Sequence, residues 1–386
     1  MKKVLLIAMA LILIFAFAAC TQSAAKTTDV DASSETADTA STADDTTDTA
    51  DTADTADTDS DAPDQADDSD DTSETVDEKI LVYLSGPEAM ITKLEEAFEE
   101  ENGDVLDMTI MSCGQLRSKV WAEYDAGSIQ ADVFWGSDPL VYNKLNEVGA
   151  LMPLTLSDAS SIDEKYMWEG KNYALVNERY ITIMYNSDLL TGDVPTSFAD
   201  LTDDAYKDIA TMADASQSST AFAIAASLYE LTGNNDNFFQ ALKDNNIMLQ
   251  KSNGLVPSSI MEGQFTVGIA PHDGAVRLIN KGKKEGYDVP IEVVWPSEGV
   301  IALQRPVAIP VNEDRSEVKQ AIAQKFVNFL LSKKAQTITT NFGFVSVRTD
   351  IENTYLPDGV DVYSVDWNAV TANEETVKNE YQAIFH

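Results

Sequence analysis

The sequence predicts an α/β protein of two lobes built on a mainly parallel sheet, and three observations carry that prediction. Strand, tight turn and amphipathic helix follow one another three times between Lys79 and Val148, the order that lays parallel strands side by side under a layer of helices. A second alternating unit begins after Tyr180, and late in the chain Val318, Ile322, Phe326, Phe329 and Leu330 form an apolar helical stripe suited to packing back on the first unit. Residues 78–386 are enough for two ordinary cores. A chain that leaves one lobe and later returns gives two lobes joined by paired strands, with 78–180 and 305–386 expected in the first and 181–304 in the second.

Each element has a local reason. Lys79 to Leu84 is a short apolar strand, and Ser85-Gly86-Pro87 turns it into a helix with Met90, Ile91, Leu94, Ala97 and Phe98 on one face; proline suits a first helical position. Leu106 to Met111 is the next strand, followed by Ser112-Cys113-Gly114 and a helix bearing Leu116, Val120 and Trp121. Ala131 to Trp135 is the third, turning at Gly136-Ser137-Asp138-Pro139 into a helix with Val141, Leu145 and Val148. Ile181 to Asn186 reads as the strand that leaves the lobe. Beyond it lie a polar stretch, Asp214 to Thr220, a helix from Ala221 to Leu231 stopped near Gly233, and a short helix around Phe238 to Leu242. Thr266 to Ala270 is a strand closed by Pro271-His272-Asp273-Gly274, which opens a helix through Ile279. Val293-Val294-Trp295 runs into Pro296-Ser297-Glu298-Gly299.

Ahead of all this, Lys2 and Lys3 precede an apolar run from Val4 to Phe17, the composition of a secretory signal over residues 1–19. Phe17-Ala18-Ala19-Cys20 resembles the lipobox of bacterial lipoproteins, which implies acylation of Cys20 and a tether to the extracytoplasmic face of the cell membrane. Residues 20–77 are almost wholly Thr, Ala, Ser and Asp; 21–77 hold 19 acidic residues against one lysine. Such a stretch has too little apolar surface to offset the entropy of ordering, so a disordered acidic linker is expected. The net charge of −39 leaves −23 for 78–386, a balance that argues against a nucleic-acid partner. Cys113 is the one other cysteine, so an acylated Cys20 leaves no intramolecular disulfide.

The chemistry concentrates in the turns. Ser85, Ser112 and Ser137 each stand where a strand feeds a helix, at the carboxyl ends of the strands where such sheets bind ligands. Serine and free backbone N–H groups at a helix start suit an anion, and they also suit an ordinary cap. Ser216, Ser218, Ser219 and Thr220 offer a second seat of the same kind. His272 and Asp273, with Glu298 one strand further on, supply a donor and two carboxylates for hydroxyls or an amine. Trp135 is placed to stack on a ring or to be buried, and Arg117 and Arg179 to pair with an anion or to lie on the surface. No Gly-x-Ser-x-Gly, His-Glu-x-x-His or zinc-spaced cysteine set is present, so a secreted hydrolase is the lesser reading and a binding protein without cofactor or metal the favoured one.

Several segments, in order along the chain, resemble the extracellular solute-binding proteins of bacterial ABC importers, within the ferric-iron-binding-like group of type II periplasmic binding proteins. They are Ala131 to Ser137, Met184-Tyr185-Asn186, Pro195 to Leu201, Trp295 to Gly299, Phe326 to Gln336 and Gly343 to Arg348. The resemblance implies two α/β lobes with a hinge and a ligand cleft between them, a monomer, and permease subunits as partners; a sensor subunit would look the same. Ferric members present adjacent tyrosines, and this chain has none: Tyr355, Tyr363 and Tyr381 are scattered. The site pattern is closer to members that bind sugar phosphates, which implies His272, Asp273 and Glu298 at the hydroxylated end of the solute. The phosphate, or a phosphonate, would then sit on Ser216, Ser218, Ser219 and Thr220, with Ser85, Ser112, Gly114 and Ser137 completing the cradle. A ferric-iron-binding subunit is the alternative.

Overall fold

Short strands whose successive side chains face opposite ways build the first half of the protein. In this computed structural model, which describes residues 78–167, 170, 172–233 and 236–386, β1 (Ile80–Leu84), β2 (Leu106–Ile110) and β3 (Val133–Trp135) run parallel in the order β2-β1-β3. Helices α1 (Glu88–Asn102), α2 (Cys113–Asp125) and α3 (Pro139–Glu147) follow them in turn. The strand period of two sorts the core. Val82, Leu84 and Trp135 pack with Met90, Leu94 and Phe98 of α1, whereas Tyr83 and Phe134 point the other way, into the cluster of Leu116, Val120, Val141 and Leu145. The signal segment, Cys20 and the acidic linker lie outside the described residues.

The chain crosses to the second half on β4 (Ala174–Asn186). There β5 (Ala210–Ala213), α4 (Ser219–Leu231), α5 (Asn237–Asp244), β6 (Met248–Gln250), α6 (Leu255–Met261), β7 (Val267–Pro271), α7 (His272–Glu285) and β8 (Ile291–Val294) succeed one another. Strands β7, β5 and β6 are parallel. The chain then returns on β9 (Val300–Ala308), which pairs antiparallel with β4 from Ala174 to Ile181 and reaches β3 at Trp135 and Phe134. The far end of β4 pairs antiparallel with β7 and β8.

The result is one mixed sheet in two lobes, parallel within each half and antiparallel at the join. A mainly parallel sheet was expected; the join differs because a chain that goes over on one strand and returns on its neighbour must run the two in opposite senses. Sequence patterning found only the Ile181–Asn186 end of β4 and neither β9, β5, β6 nor α6.

Helices α8 (Glu317–Leu330) and α9 (Lys333–Thr340) return to the first core, where the Phe326 ring meets Phe98 edge-on at 5.1 Å. After β10 (Val345–Ser346) on β4 and β11 (Val362–Tyr363) on the start of β9, the chain changes sides once more. In α10 (Trp367–Ala372) and α11 (Glu374–Phe385), Trp367, Val370, Tyr381 and Phe385 are buried with Phe222, Phe238 and Phe239 of the second half. Assigning 305–386 as a block to the first lobe does not describe this end, whose aromatic residues find their apolar partners on α4 and α5. Among the described residues no helix is long and apolar enough to cross a membrane.

Phe326 is 2% exposed, so Phe326→Ala should lower the stability of the folded body by about 3–5 kcal/mol. Urea unfolding is the check, with the midpoint shifted and the slope retained.

Candidate functional site

The carboxyl ends of β1, β2 and β3 open into a cleft of about 590 Å³ between the halves. From the first half come the three turns. The Ser85 amide is held by the Trp135 carbonyl at 3.0 Å. Ser112 caps α2: its Oγ accepts from the Gln115 amide at 3.2 Å, and Gln115 Oε1 accepts from the Ser112 amide at 3.0 Å, a reciprocal capping box. Ser137 is buried, and its amide donates to Cys113 Sγ at 3.3 Å while that thiol donates to Ser85 Oγ at 3.1 Å.

From the second half come the starts of α4 and α6, with Ser218, Thr220, Ser252 and Asn253 on the wall. Ser218 caps α4 by accepting from the Ala221 amide at 3.3 Å. Thr220 Oγ1 donates across the cleft to the Ser137 carbonyl at 3.3 Å. The helices α2 and α4 come so close that a Cβ on Gly114 would stand 3.9 Å from the Ser219 amide nitrogen. Two helix N-termini, each with free N–H groups and a partial positive charge, therefore face one cavity.

Three guanidinium groups complete it. Arg305, on β9, is only 1% exposed. It donates to Ser137 Oγ at 2.8 Å, to Asn177 Oδ1 at 3.3 Å and to the Ser85 carbonyl, and it lies between the Trp135 and Phe344 rings at 4.4 and 4.5 Å. Among the described residues no carboxylate pairs with it. Burial, with Arg179 beside it, pushes the guanidinium down to about 9, still cationic at neutral pH.

Arg179, on β4, clasps both oxygens of Asp273 with bonds of 2.8 and 2.9 Å, and Arg277, one turn along α7, also donates to Oδ2 of that carboxylate. Burial alone would raise the Asp273 pKa, but Arg179 and Arg277 hold the carboxyl well below the usual range. Three cations and one anion leave a net charge of two positive units at the cleft.

A family model described as bacterial extracellular solute-binding protein matches residues 130–373, more than half of the chain. The chain belongs to that family. A Salmonella typhimurium relative, provisionally named a 2-aminoethylphosphonate-binding periplasmic protein, is 24% identical over 259 residues, covering 63% of this chain and 73% of its own. Two solved structures share the fold. The periplasmic binding protein AfuA of Actinobacillus pleuropneumoniae, with fructose-6-phosphate bound, has a TM-score of 0.68 at 22% identity over 80% of this chain and 97% of its own. Iron-bound HitA of Pseudomonas aeruginosa has a TM-score of 0.68 at 16% identity, over 80% of this chain and all of its own.

In this solute-binding protein the residues expected from sequence fall into three groups. Ser85, Ser112, Ser137, Ser218 and Thr220 line the cleft together. Gly114, Ser216 and Ser219 line an adjoining outer cavity of about 820 Å³ between α2 and α4. His272, Asp273 and Glu298 do not line either. Asp273 stands behind Arg179 and Arg277 and sets their positions. His272 is buried beside Tyr180, Trp295 and Tyr355, and its Nδ1 takes the Tyr180 amide at 3.0 Å. Glu298 accepts from the Phe198 amide at 2.7 Å and caps a turn on the surface.

Arg117, held by Asp138 and Glu374, is committed to joining α2 to α11. Arg277, Arg305, Ser252 and Asn253 were missed. Signals for two of them existed: Arg305 is a charge in the middle of an apolar strand, and Arg277 follows Asp273 by one helical turn.

Burial pushes the His272 imidazole down from 6.5 to about 4. The unfolded chain therefore binds more protons between those values, and folding stability falls as pH drops through that window. His272→Gln should remove about 3 kcal/mol of this acid sensitivity between pH 6.5 and 4. Urea midpoints across the range, compared with the parent protein, test it.

Proposed function

We propose that this solute-binding protein captures a small solute carrying a phosphate or phosphonate group and delivers it to the permease of an ABC importer, by closure of the two lobes around it. The observation that carries this reading is Arg305: a guanidinium buried without a carboxylate among the described residues, beside two further arginines that share one. A cation so placed is costly to bury and lacks only an anion. The serine hydroxyls and the two facing helix N-termini supply the further donors that a three-oxygen head group takes. The phosphonate named for the Salmonella relative and the sugar phosphate bound to the Actinobacillus protein have this chemistry in common.

Ferric iron fits less well. Among the described residues no tyrosine, histidine or carboxylate lines the cleft, and three cations would repel a trivalent metal. The reading is one of binding without chemistry, since the cleft thiol is bonded to Ser85 and the neighbouring imidazole is buried against backbone. The protein would act as a monomer, and acylation at Cys20 would tether it at the outer face of the membrane, where the permease lies.

Calorimetric titration with 2-aminoethylphosphonate, fructose 6-phosphate and ferric citrate should give binding to a phosphorus compound and none to iron. Arg305→Met, which keeps an unbranched side chain between the two rings, should weaken that binding at least a hundredfold, about 3 kcal/mol for a buried charge-assisted pair. Glu298→Ala should leave the affinity unchanged. Iron binding retained in the Arg305 variant would reverse the assignment.

A further inference from the structure

The charged groups that line the cleft and the cavity outside it all have one sign. In the inner cavity they are Arg179, Arg277 and Arg305, and in the outer one Arg117, Lys119 and Lys378. Among the described residues no carboxylate lines either. The carboxylates that balance these cations stand behind them: Asp273 is fully buried against Arg179 and Arg277, Asp138 and Glu374 are buried against Arg117, and Glu123 and Glu374 hold Lys119 and Lys378. An aromatic face is the other partner that a cation finds. Both rings in the two linings already have a cation over them, Phe344 with Arg305 at 4.5 Å and Arg179 at 5.5 Å, and Phe222 with Lys378 at 5.6 Å.

What is left uncommitted in the inner cavity is neutral. On the wall given by the second half, the Ser252 hydroxyl and the Asn253 carboxamide have no hydrogen-bond partner among the described residues, and Asn253 Nδ2 is buried without one. The carboxamide offers donors and an acceptor, and the hydroxyl both roles in one group. A solute hydroxyl, which donates and accepts, satisfies such a pair. An ammonium only donates, and it would leave Asn253 Nδ2 unmatched.

Resting on the phosphate or phosphonate reading above, we infer that the body of the solute is hydroxylated and carries no ammonium group, and that Asn253, with Ser252 beside it, is the residue that reads it. The charge balance agrees. A doubly ionised head group offsets the two positive units of the inner cavity, whereas an ammonium on the same molecule restores one of them with no carboxylate to meet it. The Salmonella relative is named for a phosphonate that bears such an amine; this cleft disfavours it. The sequence pointed to His272, Asp273 and Glu298 for the hydroxylated end, and none of them lines the cavity. Asn253 takes that place.

The test is calorimetric titration of the full-length protein at pH 8 with three phosphonates that share a head group and a two-carbon chain: 2-hydroxyethyl-, ethyl- and 2-aminoethylphosphonate. The hydroxyl compound should bind about tenfold or more tighter than the amine, and about threefold or more tighter than the ethyl compound. Asn253→Asp, which keeps the size of the side chain and adds a negative charge to the wall, should bring the hydroxyl-to-amine affinity ratio to one or below. Ser252→Asp, at an exposed position, makes the same test where the first variant does not fold. Glucose 6-phosphate and glucosamine 6-phosphate, compared at pH 7, give the ratio on a larger body. An amine bound as tightly as its hydroxyl counterpart overturns the inference and leaves the anion seat standing. An ethyl compound equal to the hydroxyl one, or a ratio that neither variant moves, removes Asn253 and Ser252 from the role. No binding by any of these probes overturns the seat and the inference together.

Discussion

A guanidinium buried without a counter-ion is the constraint around which the rest is arranged. Taking the Arg305 charge out of water costs several kcal/mol even after relaxation, and the fold offsets it piecemeal. Ser137, Asn177 and the Ser85 carbonyl take its protons. The Trp135 and Phe344 rings lie against its two faces, each such contact worth about 0.5–2 kcal/mol when desolvated. Trp135 and Ser137 lie at the end of β3 and in its turn, Ser85 is the turn after β1, Asn177 is on β4 and Phe344 follows α9, so four separate stretches converge on one side chain. What they do not supply is negative charge. In the reading proposed above an anionic solute would supply it, and binding and folding stability would then be linked through this residue.

Arg179 and Arg305 sit on the strands that join the lobes, and this explains how one small head group would report to both. β4 faces two ways. Asn177 and Arg179 address the cleft, while Glu178 between them turns to Tyr166, whose hydroxyl it accepts at 2.7 Å; burial there pushes the carboxyl up to about 7. In the proposed reading, an anion held by Arg179 and Arg305 would rest on the joining strands, where the caps of α2 and α4 would reach it from opposite halves. Each lobe gains contacts only when the other is near, which is the differential affinity that shifts a two-lobed protein towards its closed state. The third crossing, into α10 and α11, adds the Glu374 ion cluster with Arg117 and Lys144 between the halves and limits how the lobes can swing.

What was legible in the sequence follows from how local each signal is. The first three strand-turn-helix units were readable because an apolar strand, a serine turn and a helical stripe lie within thirty or so residues of one another, and their serines do meet in the cleft. The hinge strands were not, since Asn177, Glu178 and Arg179 break the apolar run of β4 and Gln304 and Arg305 break that of β9. Those same interruptions are the site. His272 and Asp273 were conspicuous as a rare pair at a strand end, yet what they touch depends on Arg179, ninety-four residues earlier than Asp273. The pair lies behind the cleft and orients it, a distinction that composition and spacing cannot express.

The charge of the whole molecule sharpens the question of how an anion enters. The sequence carries −39, with −23 on 78–386, so a dianion approaching from afar meets repulsion. At physiological ionic strength that field decays over about 8 Å, and within the cleft the balance reverses to two positive units. The low-dielectric walls formed by Phe344 and Trp135 strengthen the local field relative to the screened exterior. Capture therefore depends on short-range contacts, not on steering. Added salt should screen the repulsive approach more than it weakens the buried contacts, so association would quicken with ionic strength where most anion-binding surfaces slow. An acidic exterior around a cationic cleft in this way favours solutes small enough to pass inside, and it turns polyanions away at the surface.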